Sequence, residues 1–480
     1  MTAYKTFING AWHEMKERER IEVTNPTDET VLGTIPDCTR DDVDVAVEAA
    51  KAAQPGWAAL PPIERAKALR KLAGLIEENA DHLARTLVLE QGKPLDQAHG
   101  EVGAAVNFLT YAAEHARRIT GDIMPSDNPD EEILIRRLPR GVVVGLTAWN
   151  YPLALAARKL GPALIAGNTF ILLSHEITPI SGLELVRLSE QAGFPPGVFN
   201  VLTGRGPIVG DALVAHPDTD MITMTGSSRA GVEIYRNAAN RLKFISLELG
   251  GKAPFIVMED ADVEKAAQAA VIARYTNCGQ ICTCAERIYL HRSIADAFTD
   301  RFVSLSKAIT IGNPIDNPDM GPKVSGIEVE KVEAMIAAAI DAGAEPLLRG
   351  GPLTGGVHSK GHWLAPTVLS VTDNTSPIMQ NEVFGPVAPL MQFDDFDEAV
   401  SLANASDFGL SAYLWTADTK RILRASRELK FGEVYINRAN GEQVQGYHTG
   451  WGLSGTGGED GAYGFDAYFK KQTTYLNWAT

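Results

Sequence analysis

From residue 141 the chain alternates short apolar runs with longer amphipathic ones, and few architectures accept that order. Residues 142–146, 170–173, 199–202, 221–225 and 244–247 read as strands, and 153–165, 179–192, 208–215 and 229–239 as the helices between them. Strands alternating with helices predict a parallel, doubly wound sheet whose ligand lies beyond the carboxyl ends of its strands. A second series follows, with strands expected at 255–258, 288–290, 367–369, 387–393, 412–415 and 432–436. The hinge between the two series is Glu248-Leu249-Gly250-Gly251-Lys252. Before them come short strands and turns over 1–40, helices from 42 and over 65–79, and an alanine-rich helix over 102–117. An exposed hairpin is expected after 121, and the alternating tail 468–476 is expected to add a strand to the hairpin of a partner.

Composition narrows the functional classes. At 480 residues the chain is long enough for two or three domains. A formal net charge of −16 argues against nucleic-acid and anionic-membrane partners, which need a basic face. The apolar stretch 141–173 is interrupted by Arg158, Lys159, Gly and Pro, too often for a membrane span. There is no signal-type apolar run at the start, and the four cysteines do not form a disulfide pattern, so a reducing cytoplasm is expected.

Three of those cysteines lie in Asn277-Cys278-Gly279-Gln280-Ile281-Cys282-Thr283-Cys284, between a helix over 263–275 and a strand at 288–290. Cys282 is then displayed on a loop, where a thiolate can act as nucleophile if its surroundings are polar. The spacing lacks the paired C-x2-C and nearby histidines of a zinc site, so no metal is expected; Cys278 and Cys284 read as packing residues. The glycine signals are moderate. Gly204-Arg205-Gly206 follows one strand, and Gly226-Ser227-Ser228-Arg229-Ala230-Gly231 follows another and opens a helix. The second suits a pyrophosphate at a helix N-terminus, although glycine at a strand-to-helix turn can serve geometry alone.

Taken together, AWNYP (148–152), KLGPALIAGN (159–168), TGS (225–227), LELGGKAP (247–254), CGQICTCAER (278–287), NEVFGP (381–386) and GWGLSGTGGEDGAYG (450–464) resemble the aldehyde dehydrogenase superfamily in motif order over almost the whole chain. CxCAER and INRxNxExxQGYHTGW are similar to its bacterial lactaldehyde and glycolaldehyde subgroup. The resemblance implies an α/β fold with three parts. These are a doubly wound, Rossmann-like nucleotide-binding domain (1–115 and 137–247), an α/β catalytic domain (248–460) and a small β oligomerisation element (116–136 and 461–480) that makes homodimers or homotetramers.

It also implies chemistry: oxidation of a small aldehyde to its acid by NAD, with NADP less favoured, through a cysteine thiohemiacetal and a thioester that water cleaves without coenzyme A. A thiolate adding to the carbonyl divides one hard step into two easier ones. By this resemblance Cys282 is the nucleophile, Glu248 the base that activates water, and the Asn150 amide an oxyanion donor beside the Cys282 N–H. The cofactor would be held by Thr147, Ala148, Trp149, Lys159, Glu176, Gly206, Gly226, Ser227, Leu249, Glu382 and Phe384. Among these, Lys159 would lie near the nicotinamide-side ribose and Glu176 on the adenosine 2′-hydroxyl. Arg158, Glu442 and His448 would bind substrate, a short 2-hydroxyaldehyde. The alternatives are a short semialdehyde, whose carboxylate Arg158 would receive, or a thiol esterase. Two positions depart from the family pattern: Leu173 stands at a usual lysine that contacts the adenosine ribose, and Ala148 at a usual proline.

Overall fold

The five strands of the first series form the centre of an eight-stranded sheet in the computed structural model, which describes residues 2–479. In sheet order these are Phe244–Glu248, Met221–Thr225, Val142–Leu146, Thr169–Leu173 and Phe199–Leu202, all parallel. Val142–Leu146 and Thr169–Leu173 are buried at every residue, as parallel strands covered on both faces must be. The chain leaves Val142–Leu146 in one direction for two strands, then jumps to its other side for Met221–Thr225. That reversal opens a crevice between Leu146 and Thr225, where open α/β sheets bind ligands. Thr6–Ile8 and Ala11–His13 extend one edge, and Gly455–Thr456 pairs antiparallel with Phe244–Glu248 at the other. A segment expected with the catalytic unit thus crosses back to the first sheet.

Helix Pro152–Ile165 is buried on nearly all sides, packed against helix Leu95–Glu114 and Val142–Leu146. This placement carries Arg158 and Lys159 into the interior. The six strands of the second series lie in a seven-stranded sheet, and its unanticipated member is the antiparallel edge strand Glu345–Leu348. Helix Ala80–Gln91 is separate from Pro62–Glu78, because Asn79 breaks the run with φ −104° and ψ 18°. The expected helix at 208–215 is a π-helical turn, Gly206–Gly210, followed by Asp211–Ala215.

The expectation for the tail requires correction. Phe469–Asn477 pairs in this same chain with Glu131–Pro139, from Phe469↔Pro139 to Asn477↔Glu131, and Asp122–Pro125 completes that sheet. An ion pair from Arg137 to Asp466 at 2.8 Å ties the preceding helix to the same strand, so the tail leaves that helix already beside its own hairpin. Among the described residues, no helix is long and apolar enough to cross a membrane.

Candidate active site

Helix Val263–Tyr275 ends in a short 3-10 turn where Asn277, Cys278 and Gly279 take φ of 52°, 57° and 71°. Left-handed backbone is costly for residues with a Cβ, so surrounding bonds must hold it. The Asn277 N–H donates to Gln97 Oε1 at 2.9 Å, and its Nδ2 donates to the Asn150 carbonyl at 3.2 Å. Gln280 Nε2 donates to the Asn277 carbonyl, and its Oε1 accepts from the Val324 N–H at 3.0 Å. At Gly279 a Cβ would meet the Gly385 carbonyl at 2.6 Å, so the turn requires glycine. The turn leaves Cys282 half-buried at a cavity wall while Cys278 and Cys284 are buried. Burial pushes those two thiols up to about 11 and about 12, which makes them inert. Burial also raises Cys282, but His448 opposes that shift by a hydrogen bond and by charge.

Asn150 lies at the N-terminal side of helix Pro152–Ile165. Its Nδ2 donates to the Gln280 carbonyl at 2.9 Å, which fixes the amide and leaves its second N–H free. The Cys282 backbone N–H has no partner among the described residues, and Asn150 and Cys282 line the same cavity. The Asn150 carbonyl accepts from Lys93 Nζ at 2.8 Å, and Lys93 pairs with Glu101 and lies 3.6 Å from the Tyr151 ring centre. Glu101 Oε1 in turn accepts the Leu153 and Ala154 N–H groups at 2.9 and 3.2 Å, and so caps the same helix from its neighbour.

Glu248 is the last residue of its strand, with both carboxylate oxygens buried and without hydrogen-bond partners among the described residues. Burial raises its carboxyl to about 8; nearby Glu459 adds to the rise, while His448, Arg158 and Lys159 oppose it. His448 Nε2 stands 3.5 Å from Glu248 Oε2, and its Nδ1 stands 3.2 Å from Glu433 Oε1 and 3.7 Å from Glu442 Oε1. Burial and Arg158 work against the imidazolium, but Glu248, Cys282 and Glu433 outweigh them and hold His448 well above its ordinary range. Glu433, Glu442 and His448 bring ligand atoms within 4.8 Å of one another. Within the trio, His448 Nδ1 faces both carboxylates, at 3.2 and 3.7 Å.

A cavity of about 470 Å³ runs from Ser227 past Leu249 to Cys282. Ala148, Trp149, Asn150, Gly226, Glu382 and Phe384 line it, as do Arg158 and Glu442. Ser227 caps helix Ser228–Ala238 by accepting from the Ala230 N–H, and this helix N-terminus opens on the cavity. Thr147 Oγ1 is buried beside the crevice with no partner among the described residues. The open helix end, the orphaned hydroxyl and the crevice at the strand reversal fit a dinucleotide.

Glu382 accepts from the Gly251 N–H at 2.8 Å, and burial raises its carboxyl to about 7. The Phe384 ring meets Trp149 edge-on at 5.3 Å. Their loop is clamped by Glu286, which accepts the Val383 and Phe384 N–H groups at 2.9 Å and pairs with Lys252 and Arg274. Burial alone would raise Glu286, but those two cations hold it down to about 2. Glu176 and Gly206 lie just past the carboxyl ends of neighbouring strands, outside this cavity.

Lys159 is fully buried; its ammonium donates at 2.7 Å to Oγ1 of Thr225, which lines the cavity, and it pairs with Glu459. His448 is buried beside Cys282, with its ring nitrogens near Glu248 and Glu433. Glu433, Glu101 and Lys93 were not anticipated as site residues. An acid or lysine inside an apolar or alanine-rich run is a signal of buried pairing, but it does not identify the partner.

The chain matches the model of the aldehyde dehydrogenase family over residues 12–474. It is 47% identical over 478 residues to the 3,6-anhydro-alpha-L-galactose dehydrogenase of Vibrio sp. (strain EJY3), covering 99% of this chain and 100% of that one. A crystal structure of lactaldehyde dehydrogenase from Escherichia coli superposes with a TM-score of 0.96 at 42% identity, covering 98% of this chain and 99% of the other. A succinate-semialdehyde dehydrogenase [NADP(+)] of Escherichia coli (strain K12) is 38% identical over 468 residues, 97% of this chain and 96% of the relative.

Proposed function

Because the chain belongs to the aldehyde dehydrogenase family and is therefore an NAD(P)-dependent aldehyde-oxidising enzyme, we propose that it converts a small aldehyde bearing a hydroxyl next to the carbonyl into its carboxylic acid. The reaction runs through a thioester on Cys282 and needs no coenzyme A. The observation that carries this reading is the position of Cys282, which lies on the cavity wall with Asn150 and is hydrogen-bonded to a buried His448 that stands 3.5 Å from Glu248.

Cys282 adds to the carbonyl carbon as its thiolate, with the thiol proton passing to solvent and the adjoining His448 cation favouring the sulfur charge. The Asn150 amide and the Cys282 N–H receive the oxyanion, where preorganised donors stabilise charge as it develops. The tetrahedral carbon then loses its C–H bond with both electrons as the C=O bond re-forms, leaving the thioester. A nicotinamide dinucleotide, when bound in the crevice, would supply the two-electron acceptor. Ser227 and the helix it caps would hold its pyrophosphate, while Glu382 and Phe384 would position the nicotinamide end. Glu248 then takes a proton from water, which attacks the thioester, and the acid leaves as Cys282 is regenerated.

Preference for NAD over NADP is supported by Glu176, whose carboxylate beyond the strand Thr169–Leu173 would accept from a free ribose 2′-hydroxyl and repel a 2′-phosphate. Leu173 contributes no charge there. kcat/KM is expected to be higher with NAD, and Glu176→Gln should move the NADP-to-NAD ratio up by about tenfold or more, the scale of one charged hydrogen bond. An unmoved ratio would assign the ribose to another group.

The substrate class is supported by the polar wall near Cys282. Arg158 offers donors and Glu442 an acceptor to a hydroxyl beside the carbonyl. Lactaldehyde and the aldehyde form of 3,6-anhydrogalactose, the compounds in two relatives' names, both carry such a hydroxyl. Groups placed for a hydroxyl are left unpaired by an analogue lacking it. Lactaldehyde should therefore exceed propanal in kcat/KM by about tenfold or more, and Glu442→Ala should shrink that margin. Equal or better propanal oxidation would contradict the reading.

A further inference from the structure

The charged residues around Arg158 make a pattern that the reaction itself does not require. Arg158 lines the cavity with Cys282 and Glu442, yet its side chain is only 8% exposed. A free guanidinium in such a wall would receive a substrate carboxylate on two parallel N–H donors. Here that fork is already filled. Nε donates to Asp460 Oδ1 at 3.0 Å, Nη2 donates to Asp460 Oδ2, and Nε also lies 3.4 Å from Glu459 Oε2. Nη1 has no hydrogen-bond partner among the described residues. The Asp460 side chain is 4% exposed and borders a second, small cavity on the far side of Arg158.

The backbone at Asp460 is the second observation. Its φ of 64° and ψ of 172° lie in a region open in practice only to glycine. A glycine there would relieve the strain, so the aspartate sits at a cost that its side-chain contacts must offset. Around the same point Arg158, Lys159 and His448 face the carboxylates of Glu433, Glu442, Glu459 and Asp460, with Glu248 behind Cys282. Each of Arg158, Lys159 and His448 thus has a carboxylate partner, with Arg438 adding a cation near Glu442, and the Arg158 fork in particular is not open to a further anion brought in by a substrate.

We propose that Asp460 determines specificity: its carboxylate occupies the Arg158 fork and bars aldehydes that carry a second, anionic group, while Arg158 Nη1 remains to donate to a neutral hydroxyl. The inference rests on the hydroxyaldehyde reading above and names what excludes the semialdehydes. Asp460 acts through Arg158 and does not touch the reacting atoms.

The test compares Asp460→Asn, which keeps the shape, with Asp460→Gly, which also removes the strain. kcat/KM is measured for lactaldehyde and succinic semialdehyde, with succinate as a competitive inhibitor. In both variants the semialdehyde-to-lactaldehyde ratio is expected to rise at least tenfold and succinate inhibition to tighten at least tenfold. Adding Arg158→Met to Asp460→Asn should remove both gains. An unchanged ratio with unchanged succinate inhibition overturns the proposal, as does a gain that survives without Arg158. Should neither variant fold, the unaltered enzyme decides: weaker inhibition by succinate than by neutral glycolamide upholds the barrier, and stronger inhibition overturns it. Failure of the underlying reading looks different, because the unaltered enzyme would then already prefer succinic semialdehyde to lactaldehyde.

Discussion

Replacing Cys282 by serine is expected to lower aldehyde oxidation by about 10³-fold or more, since the residue that forms the covalent bond loses its ionisable thiol. Burial already raises the Cys282 thiol, and the adjoining His448, with a smaller contribution from Arg158, counters that shift. A serine hydroxyl, far less acidic, would not be ionised by the same partner. The exchange is close to isosteric, and the turn that displays residue 282 is held by Asn277, Gln280 and Gly279 rather than by the sulfur. Thermal stability should therefore change little while oxidation is lost. Absorbance of the reduced cofactor, followed from the first turnover onward, checks this; activity within tenfold of the unaltered enzyme would remove Cys282 from its role. Cys278 and Cys284 cannot substitute, because both thiols are buried and held at about 11 and about 12.

Glu248→Gln is expected to separate the two halves of the reaction. The first turnover should still release about one equivalent of reduced cofactor per chain, because thioester formation can proceed before water is activated. Steady turnover should fall about 10²- to 10⁴-fold, the usual contribution of a positioned general base. The pH dependence gives a second readout. Burial raises Glu248 to about 8, and a protonated carboxyl cannot take a proton from water. Turnover of the unaltered enzyme should thus reach its plateau above about pH 8. Below that it should fall about tenfold per pH unit wherever hydrolysis limits the rate. Glu248→Gln should lose this limb. A variant with no first-turnover release, or with normal turnover, would take the base role from Glu248.

The sequence made the two sheets legible because their strands are short, apolar and separated by helices, so period and length agree. It also made the Cys282 loop legible, through three clustered cysteines beside glycine and glutamine. Pairing across long separations was not legible. The tail 468–476 reads as a strand by alternation, but alternation does not say which hairpin it joins; the Arg137–Asp466 pair beside its own chain decides that. The place of Lys159 near a ribose comes from the motif order alone, because helix Pro152–Ile165 is apolar on nearly every side and its pattern gives no facing direction. The substrate role of His448 likewise comes from the motif, and its nearness to Glu248 and Glu433 depends on contacts between distant segments that spacing does not show. Asp460 sits inside a glycine-rich stretch that reads as a loop, and nothing in the letters announces a positive φ at an aspartate.

The central claim is that the substrate's acyl group rests on Cys282 between oxidation and hydrolysis. Mass analysis of Glu248→Gln, quenched in acid after mixing with excess lactaldehyde and NAD, tests it most directly. The account predicts a lactoyl adduct on the peptide containing Cys282, at about one per chain and in step with the first release of reduced cofactor. Reduced cofactor formed while that peptide stays unmodified would contradict it.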